Sequence, residues 1–346
     1  MNEGFIWAYL LHLGHNMWKD IPRKEFTPEL VSEKNRGDPE KVSRFYESCM
    51  TDELLTVEAE WDFAIESLAK TGCNLVIVDL GESVRYASHP ELAVKGSWTV
   101  ERLREKLARI RALGMEPIPK LNFSATHDTW LKDYHRMVST PEYFRVCSDL
   151  IREVAEIFDR PRFFHLGYDE ETYAHQKSFR FVVVRQGERW WHDFLWFVKE
   201  TEKTGCRPWV WSDYAWKHKD FLSRCPKSVL QSNWYYGERG AIGDEFDLAR
   251  LPESNPGDGR PIREYVKTYL DLDKAGFEQV PTGSTYLYDT NFANTIRFCD
   301  AHCDPKLLKG YMMAPWLSPW TDAHAKNAHA FEVFKSAIAA RERTGA

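Results

Sequence analysis

The chain reads as a single-domain (β/α)8 TIM barrel, and three observations predict it. Short β-rich apolar runs alternate with helical patterns from end to end, eight of each can be counted in 346 residues, and the long polar segments follow strands rather than precede them. Strands that alternate with helices pair in parallel, and eight such units close a barrel whose functional face lies at the strand ends.

The first strand is predicted at residues 5–13, an almost wholly apolar run, as a strand covered on both faces must be; a helix over 53–70 follows the long segment 14–52. The second strand, 74–80, leads to a helix over 100–113, and the third, 116–123, to a helix over 141–158. Strand four, 162–168, ends in Gly167 and runs through the loop 171–187 to a helix over 188–203. Strand five, 207–213, precedes a shorter helix over 217–224; strand six, 228–234, precedes the loop 235–261 and a helix over 262–274. Strand seven, 278–287, is paired with a helix over 292–302, and strand eight, 308–316, with a closing helix over 327–343. Gly72, Gly114 and Gly276 stand just before strands, where helix C-termini need a residue that turns freely.

Composition narrows the function. A formal net charge of −6 with acids and bases interspersed gives no footprint for nucleic acid or an anionic membrane, so neither is expected as a partner. Residues 5–13 are too short to span a bilayer and lack a basic leader; the sequence as it stands reads as cytoplasmic, or as periplasmic or secreted if a signal has been removed. The seven cysteines have no metal-ribbon spacing and read mainly as reduced core thiols. Fourteen tryptophans are the unusual count, and an indole offers a flat face to a sugar ring and an N–H to its hydroxyls, although cores and oligomer contacts use it too.

The barrel gathers residues far apart in sequence. Strand one brings His12 and His15, strand two Asp79 and Glu82, and strand three Asn122 with His127 and Asp128 just beyond. Strand four brings His165, Asp169 and Glu170; strand five ends at Trp211 and Asp213, strand six at Trp234, strand seven at Tyr286, Tyr288 and Asp289, and strand eight at Trp316. Carboxylates in a bowl of aromatic residues are what glycoside cleavage requires: an acid for the departing oxygen, negative charge for an oxocarbenium-like centre, and flat walls for the ring.

The run His165-Leu166-Gly167-Tyr168-Asp169-Glu170 resembles the strand-four motif of glycoside hydrolase family 20, the β-hexosaminidases, in which a second glycine stands where this chain has Tyr168. The resemblance implies that Glu170 is the general acid/base and that Asp169 orients the substrate's own acetamido group, whose carbonyl oxygen attacks the anomeric carbon. It also implies sugar-binding walls at Trp211, Trp234 and Trp316, and a tyrosine at Tyr286 or Tyr288 that donates to the acetamido oxygen. No cofactor or metal is implied, and the partner is a carbohydrate substrate. The family's strand-one arginine has no counterpart in Leu11-His12-Leu13-Gly14-His15, its strand-eight glutamate is replaced in Trp316-Leu317-Ser318, and its small preceding α/β domain has none in these residues.

Simpler roles compete with these. His165 is read as a residue supporting the site, Asp213 as a sugar ligand or helix cap more than a catalyst, and Asp79 and Glu82 as a solvated loop. A neighbouring Asp169 and aromatic walls are expected to raise the pKa of Glu170. Trp190 and Trp191 are expected to pack between helices or across a dimer. A metal hydrolase built on His12, His15, His165, Asp169 and Asp213 is the minor alternative, because His12 and His15 lack a shared-ligand spacing on a strand. A non-catalytic sugar-binding barrel, or a glycosidase for a non-acetamido sugar using a protein nucleophile, are the others.

Overall fold

In the computed structural model, residues 4–15, 19–237, 253, 262–317 and 323–344 are described. The barrel strands are β1 (Ile6–His12), β2 (Leu75–Asp79), β3 (Glu116–Lys120), β4 (Phe163–His165), β5 (Arg207–Trp211), β6 (Leu230–Ser232), β7 (Thr282–Gly283) and β8 (Gly310–Met313). All pair in parallel, β1 lying between β2 and β8. Bridges from Gln231 to Gln279 and from Trp234 to Thr282 join β6 to the β7 segment and close the ring. The structure is the (β/α)8 barrel that the alternation predicts.

The helices that follow the strands around the barrel include α1 (Glu58–Leu68), α2 (Val100–Ala112), α3 (Pro141–Ile157), α4 (Gly187–Lys203), α5 (Tyr214–Lys217), α6 (Phe221–Arg224), α7 (Ile262–Lys274), α8 (Asn291–His302) and α9 (His324–Thr344), and further short helices lie in the loops. Where one helix was expected over 217–224 there are two single turns, α5 and α6, because the chain leaves helical geometry at His218 (ψ 85°). Thr99 and Thr140 cap α2 and α3 by accepting backbone N–H bonds from Arg102 and Tyr143.

Alternation of side chains along each strand divides the core in two. Ile6, Ala8, Leu10, Leu75, Ile77 and Ile118 fill the barrel interior, while Tyr9, Leu11, Val76 and Val78 meet the helices outside it. Trp190 and Trp191 are both buried on α4 and pack within the outer layer. All seven cysteines are buried and free. Among the described residues no helix is long and apolar enough to cross a membrane.

Strand register builds one unusual layer. His12 pairs with Asp79, Asp79 with Lys120, and Lys120 with His165, so four buried polar residues lie side by side across β1 to β4. Lys120 Nζ stands 2.6 Å from Asp79 Oδ2, and His12 Nδ1 is 3.1 Å from the same oxygen. Burial works against ionising Asp79, yet the Lys120 charge and His12 hold its carboxyl below the usual range. This corrects the reading of Asp79 and Glu82 as a solvated loop: both are buried, and Glu82 accepts a hydrogen bond of 2.8 Å from the His15 backbone.

The loops at the strand ends carry the extra length. Segment 14–57 contains a short parallel pair, Lys19–Pro22 with Cys49–Met50, and it meets the loop after β4 where Asp20 accepts from the backbones of Arg180 and Phe181, each at 2.7 Å. Most of the expected loop 235–261 lies outside the described residues.

Candidate active site

The site begins with the turn that follows β4. Gly167, Tyr168 and Glu170 all have positive φ, at 66°, 73° and 56°. Gly167 has two reasons to be glycine: its left-handed backbone, and the Asn122 side chain, whose nearest atom would lie 2.2 Å from any added Cβ. Asn122 uses that closeness as a clamp. Its Oδ1 accepts from the backbones of Tyr168 (3.1 Å) and Ser124 (3.0 Å), and its Nδ2 donates to Asp169 Oδ1 at 2.7 Å. From below, His165 Nδ1 accepts from the Gly167 N–H at 3.0 Å.

Tyr168 occupies a left-handed position that costs an ordinary residue roughly 1–2 kcal/mol. Burial of the ring offsets the strain. Tyr168 packs against Trp190, Phe194 and Phe197, with the Arg185 guanidinium 4.7 Å above it. Arg185 is itself anchored by Glu171, to which Nη2 donates at 2.5 Å. The carboxylate turn is therefore fastened on both sides, by Asn122 and by the Tyr168–Arg185–Glu171 block.

Two histidines face Glu170. His127 Nε2 lies 3.4 Å from Glu170 Oε2 and 3.5 Å from Asp169 Oδ2, and His175 Nε2 lies 3.4 Å from Glu170 Oε1. Burial acts to raise the Glu170 pKa, but the close contact with His127 and the His175 charge hold it below the usual carboxylate value. This corrects the expectation of a raised Glu170, since the sequence did not place two imidazoles against it. His127 moves the other way: burial would lower it, yet the Asp169 charge and the contact with Glu170 hold it above the ordinary histidine range. Asp213 is raised, by burial and then by the Asp169 charge. Its Oδ2 accepts from the Glu170 backbone at 2.9 Å, and its Oδ1 is buried without a hydrogen-bond partner.

Aromatic rings wall this group. Trp211 and Trp316 lie 5.9 Å apart between ring centroids, and Trp316 also approaches His12 (5.8 Å) and Tyr236 (6.4 Å). Tyr236 stacks on Trp234 at 4.9 Å, and Trp234 meets Trp216 edge to face at 4.5 Å. Burial, with the nearby Glu170 and Asp169 adding to it, pushes the Tyr236 hydroxyl well above its ordinary pKa, and that hydroxyl is buried without a hydrogen-bond partner.

Of the residues expected at the site, Asp169, Glu170, Asn122, Asp213, Trp211, Trp234, Trp316 and His12 come together at this end of the barrel. His165 is fully buried beneath the turn, packed on Trp209 and Trp211, and burial followed by the Lys120 charge holds it well below the histidine range. Tyr286 and Tyr288 are about half exposed on the loop after β7, Tyr286 sharing a cavity of about 600 Å3 with Trp316. Asp289 is turned to solvent and pairs with His329 at 2.8 Å. Ser318, at the position of the missing strand-eight glutamate, lies outside the described residues. His175 was not singled out from sequence, Tyr236 was noted only as one of the aromatic residues ending strand six, and His127 only as a neighbour of strand three. For His127 and Tyr236 the available signal was a polar residue within a few positions of a strand end.

The expected absence of a metal meets one relevant arrangement. His127, Asp169 and Glu170 place ligand atoms within 4.8 Å of one another, the one cluster of that kind among the described residues. It differs from the set weighed from sequence, in which His12 turns to Asp79 and His165 to Gly167.

No family model matches the chain, and no curated protein does. Solved structures do. Flavobacterium johnsoniae chitobiase superposes with a TM-score of 0.59 at 14% identity, over 81% of this chain and 46% of its own. Streptomyces plicatus N-acetyl-β-hexosaminidase gives 0.55 at 12% identity, over 95% and 63%, and Dispersin B gives 0.53 at 15%, over 95% and 98%. The fold is that of the glycoside hydrolase family 20 barrel. The chain spans about half the length of the chitobiase and nearly all of Dispersin B. At these identities the likeness to family 20 enzymes is one of fold, and the residues of the site have to be argued on their own geometry.

Proposed function

We propose that this protein is a glycoside hydrolase that removes a terminal β-linked 2-acetamido sugar with net retention, using the substrate's acetamido group as the nucleophile. The observation that carries the reading is the Asp169–Glu170 pair, bridged by His127, clamped by Asn122 and walled by Trp211 and Trp316. Solved structures that share the fold include β-N-acetylhexosaminidases, which supports it.

In the proposed reaction the sugar ring lies against Trp211 and Trp316. Asp169, fixed by Asn122, accepts from the acetamido N–H and offsets positive charge as the acetamido oxygen bonds to the anomeric carbon. Tyr236 donates to that acetamido oxygen, a role sequence resemblance had given to Tyr286 or Tyr288. The bond to the leaving oxygen breaks as Glu170 hands it a proton, and the alcohol departs. Water then adds to the anomeric carbon, its proton goes to Glu170, and the acetamido group reforms.

In the free site the Glu170 pKa is lowered and that of His127 raised, so the pair favours a proton on His127 beside the Glu170 carboxylate. A bound sugar displaces water from Glu170 and favours its neutral form, which moves that proton across a 3.4 Å contact. Asp213 fits a protein nucleophile less well, because burial and then the Asp169 charge raise its carboxyl pKa and so favour the weakly nucleophilic protonated form, and Asp289 faces away into solvent.

The test is nitrophenol release from aryl glycosides with and without the 2-acetamido group, in wild type and Glu170→Gln. Selective cleavage of acetamido substrates, reduced in the variant by about 10²-fold or more, is the expected result. Activity confined to sugars lacking the acetamido group would discard the substrate-assisted route.

A further inference from the structure

The atoms assigned to the sugar also have the spacing of a metal site. His127 Nε2 lies 3.5 Å from Asp169 Oδ2 and 3.4 Å from Glu170 Oε2, and one ligand atom from each of the three residues falls within 4.8 Å of the others. Zinc takes imidazole nitrogen and carboxylate oxygen at about 2.0–2.2 Å, so neighbouring corners of a tetrahedral site stand roughly 3.3–3.6 Å apart. Both separations at His127 match such an edge.

A second observation points to a ligand. His127 is 3% exposed, and its Nε2 is buried without a hydrogen-bond partner; in the tautomer that leaves this nitrogen bare, its lone pair is directed between the two carboxylates. Asp169 is fixed from behind, because Asn122 donates to its other oxygen at 2.7 Å, the kind of outer hydrogen bond that orients a metal-binding carboxylate. Glu170 lines a concavity of about 570 Å3 open to solvent, which gives an ion a way in. One imidazole with two carboxylates suits zinc and its transition-metal neighbours, whereas magnesium and calcium prefer oxygen alone. Three protein ligands leave the fourth corner to water, as in open zinc sites.

We propose that His127, Asp169 and Glu170 form an inhibitory site for a divalent transition ion of the zinc class, held by one nitrogen and two carboxylate oxygens with water completing the tetrahedron. The ion occupies both the carboxylate that protonates the leaving oxygen and the one that holds the acetamido N–H, so metal and sugar exclude each other. The inhibition rests on the glycosidase reading above, and the binding rests on the geometry alone.

Titration calorimetry with zinc, on the whole protein and with no sugar present, tests the site independently of any activity. Wild type is expected to bind one ion, and the affinity to fall by about tenfold or more in His127→Gln and in Asp169→Asn. His175→Ala is the control: its ring meets the other oxygen of Glu170, and its affinity should stay within about threefold of wild type. Melting curves show whether each variant is folded, and the two ligand variants stand in for each other if one is not. No saturable binding in wild type, or an affinity unchanged in both ligand variants, overturns the site. On an aryl 2-acetamido glycoside, zinc should raise the apparent KM, leave kcat unchanged and be reversed by a chelator. Bound zinc that leaves turnover unaltered, or that lowers kcat alone, overturns the inhibition. A protein that binds zinc as stated yet turns over no sugar overturns the glycosidase reading and the inhibition with it, while the ion site stands.

Discussion

His127 holds Nε2 3.4 Å from a carboxylate oxygen of Glu170 while the same nitrogen lies 3.5 Å from Asp169. One imidazole thus faces two adjacent acids that differ in their proposed roles, and its raised pKa with the lowered one of Glu170 describes a single shared proton. The alkaline limb of kcat/KM should accordingly report loss of that proton from the pair. In His127→Gln the proton must reside on Glu170 itself, without the stabilising contact. The limb is expected to move toward lower pH and kcat to fall by about 10²-fold, as for other lost acid–base partners. A pH–rate profile of wild type and variant checks this; an unmoved limb would show that His127 does not share the proton.

Asp213 gives the opposite expectation. Burial and then the Asp169 charge raise its carboxyl well above the usual carboxylate range, and it accepts the Glu170 N–H. Asparagine supplies the same acceptor and a donor where the acid carried its proton, so Asp213→Asn should retain kcat within about threefold of wild type near neutral pH. Abolished turnover on acetamido substrates would instead point to Asp213 as a protein nucleophile.

The turn at strand four offers a structural test. Tyr168→Gly would relieve left-handed strain of roughly 1–2 kcal/mol but remove a ring packed on Trp190, Phe194, Phe197 and Arg185, a loss on the order of 3–5 kcal/mol. The net expectation is a lower melting temperature, although glycine is the residue this backbone would choose. Gly167→Ala should be worse for activity, since its Cβ collides with Asn122 and displaces the clamp on Asp169. Melting curves and turnover together check both; a Tyr168→Gly protein that melts higher than wild type would show that strain outweighs packing.

Which parts of this were legible in sequence follows from how locally each is encoded. The barrel was legible because each strand is a local apolar run and each helix a local period; even α7 was placed at its observed bounds, Ile262–Lys274. The short helix after β5 was misdrawn because the break at His218 carries no glycine or proline to mark it in sequence. Asp169 and Glu170 were legible as adjacent acids at a strand end. The histidines that set their charge were not, since His127 and His175 reach Glu170 only through loops whose course is tertiary. Asp79 shows the same limit: it was read as part of a solvated loop, and only the register of β2 and β3 makes it a buried pair with Lys120.

Asp128 provides a prediction about stability. It is fully buried next to His127, accepts a hydrogen bond of 3.1 Å from the Tyr143 hydroxyl, and its pKa is raised by burial to about 8 although the Arg185 charge acts to lower it. A carboxyl raised in the folded state binds a proton there that the unfolded chain has already released. Its contribution to stability is therefore complete below about pH 4 and is lost progressively as pH climbs to about 8, by up to about 1.4 kcal/mol per pH unit for this one group. Asp128→Asn keeps an acceptor for Tyr143 and removes the titration. Denaturant unfolding of both proteins at pH 5 and pH 8.5 should show the variant gaining on wild type at the higher pH, with the other titrating groups cancelling in the comparison. Parallel changes in the two proteins would mean that Asp128 is ionised throughout, held by Arg185 more strongly than burial opposes it.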